Sequence, residues 1–153
     1  MPAPYAESDQ LAELVERRQR YLLLMRDLGV QQMTLIESGD MTALLRVLGA
    51  KQRVMAELER AERALDPFRA QSAEERVWRS PELRERCRQQ LDESAALLAE
   101  ILNQEKQGEG LLVRRRDEAA ERLAGSHFSH HAHTAYHTLP GTNISQLDLA
   151  SES

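Results

Sequence analysis

The sequence predicts an all-α fold: an antiparallel bundle of three long helices with a short connecting helix and a disordered C-terminal tail. Three observations carry this prediction. Ala, Leu, Glu, Arg and Gln dominate the chain, and these are strong helix formers. Aromatic residues make up only 4% of the chain, too few for the core of a β-sandwich or barrel. Seven Gly and five Pro leave little material for the many turns of an all-β fold. A length of 153 residues fits a single domain, read as a bundle over residues 8–125 and a His-rich tail over residues 126–153.

The first helix is expected from about Ser8 to Glu37, with Ser8 or Asp9 as N-cap. Leu11, Leu14, Val15, Tyr21, Leu22, Met25, Leu28, Met33 and Ile36 recur at three- and four-residue steps and form one apolar stripe. Arg18 and Gln32 interrupt that stripe, and Gly29 softens it. Gly39 supplies the turn, and Asp40 caps the second helix, Met41 to about Leu65. Its stripe is Met41, Leu44, Leu45, Leu48, Met55, Leu58 and Leu65, and Pro67 is expected to end it. Phe68 then folds back as a plug on the bundle end. Ser72 and Glu75 have capping-box spacing, which predicts a short helix through Trp78, itself read as an apolar cap.

Ser80-Pro81 opens the third helix, which runs to about Ala124 with Gly125 as its stop. Its stripe reads Leu83, Cys87, Leu91, Ala95, Leu98, Leu102, Leu112, Ala119 and Leu123. At 1.5 Å per residue this helix is roughly 66 Å long against roughly 40 Å for the others, so it either projects beyond the bundle or bends at Gly108 and Gly110. Beyond Ser126 lie all five histidines, His127, His130, His131, His133 and His137. Residues 138–153 show no sustained period and are expected to be disordered.

A formal net charge of −5 argues against non-specific nucleic-acid binding. The single Cys87 cannot form an internal disulfide and suits a reducing cytoplasm. Met1–Gln10 does not read as a signal peptide, and no apolar run is long enough for a transmembrane helix. Enzymatic signatures, phosphate-binding glycine loops and C-x-x-C pairs are absent, and the helices up to Ala124 carry no His for a di-iron site. The histidine spacing resembles that of metal ligands, but the segment has no Cys or carboxylate among the His, so no metal or other cofactor is assigned.

The third helix carries more apolar surface than one bundle contact can bury. Leu97, Leu98, Ile101 and Leu102 form one broad surface, and Leu111, Leu112 and Val113 form another. Three consecutive apolar residues spread around most of a helix, so part of this surface is left for a homodimer or for a partner's amphipathic helix. Arg114, Arg115 and Arg116 are followed by Asp117 and Glu118 and read as a salt-bridged, solvated face.

Over roughly residues 8–124 the chain resembles the FlgN family of flagellar type III export chaperones. The resemblance rests on Gly39-Asp40, Leu44-Leu45, Lys51-Gln52, Leu58, Leu65 and Pro67-Phe68. On the third helix it rests on Leu97-Leu98, Ile101, Glu105 and Arg116-Asp117-Glu118. It implies a cytoplasmic helical bundle without enzymatic activity. Such a protein binds the C-terminal amphipathic segments of hook–filament junction proteins and delivers them to the export gate. On this sequence the client groove falls on Leu98, Ile101, Leu102, Leu112 and Val113. Export-gate docking falls on Phe128 and Tyr136, within a His-rich segment that departs from the family pattern. The competing reading is a structural coiled-coil protein that acts through homodimerisation.

Overall fold

The protein's structure, a computed structural model, describes residues 4–137. Among the described residues three α-helices make up the fold: α1 (Ala6–Ser38), α2 (Met41–Arg69) and α3 (Pro81–His137). A single 3-10 turn, Ala73–Glu75, lies between α2 and α3. Two compact units divide after Gly110: residues up to Gly110 form a three-helix bundle, and Leu111 begins the second unit. No helix among the described residues is long and apolar enough to cross a membrane.

Helix ends follow local chemistry, with four departures from expectation. Gly39 closes α1 in the left-handed conformation at φ 77°, donating its N–H to the Leu35 carbonyl at 3.0 Å. The Asp40 carboxylate accepts from the Ala43 N–H at 3.1 Å, and the Ser80 hydroxyl accepts from the Leu83 N–H at 3.2 Å. The first departure is at Ser8, which does not cap α1. It lies inside the helix, buried, and its hydroxyl donates to the Val77 carbonyl at 2.8 Å, tying α1 to the segment before α3. Second, Pro67 does not end α2. In the last turn its missing N–H costs only one intrahelical bond, and burial of Phe68 favours completing that turn. Third, the helix expected through Trp78 is reduced to the 3-10 turn, and the Ser72 side chain makes no capping bond. Fourth, Gly125 does not stop α3, which stays helical to His137. Residues 126–137 of the expected tail therefore continue α3, and residues 138–153 lie outside the described residues.

The core follows a seven-residue repeat in every helix. On α1 the buried positions include Ser8, Val15, Leu22, Gly29 and Ile36, each seven apart, with Leu11, Met25 and Gln32 on the companion row. On α2 they are Leu44, Lys51, Leu58 and Leu65, with Val47, Ala61 and Phe68. On α3 they are Cys87, Ser94, Ile101 and Gly108, with Leu97. This spacing is that of coiled-coil seams, whose residues interdigitate in layers.

The layers alternate in character. One apolar cluster joins Leu11, Leu14 and Val15 to Leu65, Phe68 and Cys87, with Trp78 packed on it. A second joins Leu22 and Met25 to Leu58, Leu97 and Ile101. Between them Arg18 donates to Glu62, and the fully buried Ser94 hydroxyl has no hydrogen-bond partner among the described residues. Beyond the second cluster a polar layer holds Gln32 and Lys51 in the core. The Lys51 ammonium donates to the Gln32 amide oxygen at 2.6 Å and to the Glu105 carboxylate. Here Gly29 meets α3 closely: a methyl at this position would overlap the Gln104 amide oxygen, while the Gln104 Nε2 donates to the Arg26 carbonyl at 3.2 Å.

Glu62 gives the bundle a pH response. Burial opposes its ionisation, but hydrogen bonds from Arg18 and Arg69 outweigh burial and hold the carboxyl below its ordinary 4.5. A carboxylate with a lowered native pKa stabilises the fold above its unfolded pKa, and that contribution is lost as pH falls through the native value. Urea unfolding is therefore expected to show a drop in stability below about pH 4.5, and Glu62→Gln is expected to make that drop shallower. An unchanged acid limb in Glu62→Gln would assign the response to other carboxylates.

Candidate functional site

Helix α3 carries two apolar faces within the first unit. The face turned to the core is the row Cys87, Ser94, Leu97, Ile101 and Gly108. A quarter-turn away lies a second row, Arg84, Leu91 seven residues on, and then Ala95, Leu98 and Leu102 at three- and four-residue steps, leading to Glu105. Every side chain of this second row is exposed, with Leu91 at 41%, Leu98 at 38% and Leu102 at 57%. The apolar stripe read from the sequence of α3 is thus largely the uncovered row. The true seam was hidden because it is built from Cys, Ser and Gly as well as Leu and Ile, and only its seven-residue spacing marks it.

The predicted client-binding residues separate accordingly. Ile101 is a correction, because at 5% exposure it belongs to the second core cluster and is not open to a partner. Leu98 and Leu102 lie together on the exposed row, four residues apart on one face. Leu112 and Val113 are exposed and belong to the second unit. In that unit Arg116 pairs with Asp117 at 3.3 Å and Arg115 with Glu118 at 3.7 Å. Phe128 and Tyr136 fall on α3, but their side chains lie outside the described residues, as do those of all five histidines.

Two concavities meet the ends of the exposed row, one at Arg84 and Leu91 and the other at Glu105. At the α3 N-terminus a cavity of about 500 Å³ has an apolar floor of Leu11, Trp78, Cys87 and Leu91 and a rim that includes Arg84 and Arg88. Arg88 is committed to Glu85 and to Asp92 at 2.9 Å, whereas Arg84 makes no side-chain ion pair among the described residues. Toward the middle of α3 a groove of about 400 Å³ is lined by Met25, Leu48, Met55 and Ala56, with Lys51, Glu59 and Glu105 along it. Sequence reasoning found Leu48 and Met55 but placed them in the core stripe. Met55 is 41% exposed, and the neighbouring Met41 and Leu45 are exposed at 58% and 69%.

The chemistry of this surface is adhesive. Unbranched Met and Leu side chains beside a few charges suit an amphipathic helix, which they accommodate by shifting rotamers. Burial pushes the Cys87 thiol above its ordinary value, with Arg76 acting weakly against the shift, so the sulfur stays a protonated packing group. Among the described residues no cluster of three His, Cys, Asp or Glu is placed to hold a metal. No protein-family model, curated protein or solved structure matches the chain.

Proposed function

We propose that the chain is a flagellar type III export chaperone, cytoplasmic and without catalytic residues or cofactor. In this reading it binds the C-terminal amphipathic segments of hook–filament junction proteins and delivers them to the export gate. The observation that carries the reading is the uncovered apolar row of α3, Leu91, Leu98 and Leu102, with a methionine-lined groove of α2 that meets α3 at Glu105, the end of that row. A client helix laid there adds a fourth helix to a three-helix bundle and covers apolar surface otherwise left in water. The antiparallel course of α1 and α2 belongs to the same reading. It is supported by the pairing of Arg18 with Glu62 and of Gln32 with Lys51, in which residue numbers rise on α1 as they fall on α2. Export-gate docking is assigned to Phe128 and Tyr136.

The test uses the full chain and a synthetic C-terminal peptide of a hook–filament junction protein from the same genome. Calorimetric titration is expected to give a one-to-one complex. Leu98→Asp is expected to weaken it by roughly tenfold or more, since a carboxylate replaces a side chain whose burial is worth about 1.5–3 kcal/mol. Undiminished binding in a folded Leu98→Asp protein would remove the groove assignment.

A further inference from the structure

The exposed row of α3 is close to a palindrome. It begins on Arg84, ends on Glu105, and places Leu91 and Leu98 at equal distances from a point between Ser94 and Ala95. The cavity floored by Cys87 and Leu91 lies as far from that point on one side as Leu102, the most exposed leucine of the row, does on the other. A row with this symmetry is complementary to itself when two copies run in opposite directions.

We propose that this face binds a second copy of the chain, with the two α3 helices packed antiparallel about a two-fold axis at Ser94–Ala95. Leu102 of each copy enters the cavity of the other, over Cys87 and Leu91. Leu91 of each copy lies against Leu98 of the other. Arg84 of each copy, which makes no ion pair among the described residues, meets Glu105 of the other, a half-exposed carboxylate that Lys51 also holds. Ala95, at the axis, leaves the room that close approach of two helices requires. The contact is isologous, so each interaction occurs twice, and a single substitution removes two of them. The row from Arg84 to Glu105 is about 32 Å long, which gives the helix pair some six turns of contact. The inference concerns the chain alone and does not depend on any client. If the client reading also holds, client and second copy compete for one face.

Sedimentation of the full chain over a range of concentrations tests this directly. A reversible monomer–dimer equilibrium is expected. Leu102→Asp is expected to weaken the dimer by about a hundredfold, because two buried leucines are lost. Arg84→Glu is expected to weaken it by about tenfold, more at low salt than at high salt. Both positions are exposed, so helix content by circular dichroism should be unchanged. A geometric check does not rely on loss of binding. In Ala95→Cys a short bismaleimide should join two copies through the introduced thiols, while Leu24→Cys, exposed on α1, should stay unlinked. A chain that remains monomeric throughout, a dimer that survives Leu102→Asp, or cross-linking at Leu24→Cys without cross-linking at Ala95→Cys would each overturn the proposal.

Discussion

Leu22→Ala is expected to destabilise the bundle by about 3 kcal/mol, the mid-range for truncating a buried leucine. Leu22 is only 1% exposed and sits in the cluster formed by Met25, Leu58, Leu97 and Ile101, where all three helices meet. Three carbons are lost from a site whose walls are themselves held by the seven-residue seams, so little collapse can offset the cavity. Thermal unfolding followed by circular dichroism should show the midpoint lowered by roughly 10 °C. Leu24→Ala, at a position 49% exposed on the same helix, should change stability by less than about 0.5 kcal/mol. Equal effects at the two positions would mean that the assigned face of α1 is wrong.

The second large effect is expected at Lys51. Its side chain is buried, with the stem packed in the core and the ammonium bridging Gln32 and Glu105. Lys51→Ala removes the stem and leaves the buried Gln32 oxygen without its donor, a combination expected to cost about 3 kcal/mol. Glu105 is half-exposed and regains water, which keeps the penalty below that of a fully buried broken pair. Lys51→Met restores the stem volume and should recover more than half of the loss. Urea unfolding of the two variants side by side checks this. If Lys51→Met is as unstable as Lys51→Ala, the ammonium and its partners carry the stability and the stem does not.

Helix number and order were legible in the sequence because propensity, turn residues and caps agreed at Gly39-Asp40 and Ser80-Pro81. The extent of each helix was less legible. Pro67 and Gly125 are strong local signals, yet a proline in a last turn and a glycine without a competing cap leave the helix free to continue. The faces were read well on α1 and poorly on α3. On α1 the large apolar residues Leu11, Val15, Leu22 and Met25 are also the buried ones. On α3 the leucines are divided between two faces, and the core also takes Cys87, Ser94 and Gly108, where an added methyl at Gly108 would press on the Gln32 amide. A stripe drawn through the largest side chains therefore found the uncovered face. Leu98 and Leu102 lie on that face, whereas Ile101, grouped with them in the broad apolar surface, lies in the core. The polar layer was visible in the sequence only as interruptions, since nothing local pairs Gln32 with Lys51 or Lys51 with Glu105.

Trp78 is the chain's one tryptophan, and it packs on the first apolar cluster alone. Its emission therefore reports on that end of the bundle, whereas far-ultraviolet circular dichroism reports on every helical residue. The two apolar clusters are separated by a polar layer, Arg18 paired with Glu62 and a Ser94 hydroxyl without a hydrogen-bond partner among the described residues. Comparing the two signals during denaturation thus measures cooperativity across that layer. Coincident curves define a single folding unit. A fluorescence transition that precedes the loss of ellipticity defines a bundle that opens first at its tryptophan end.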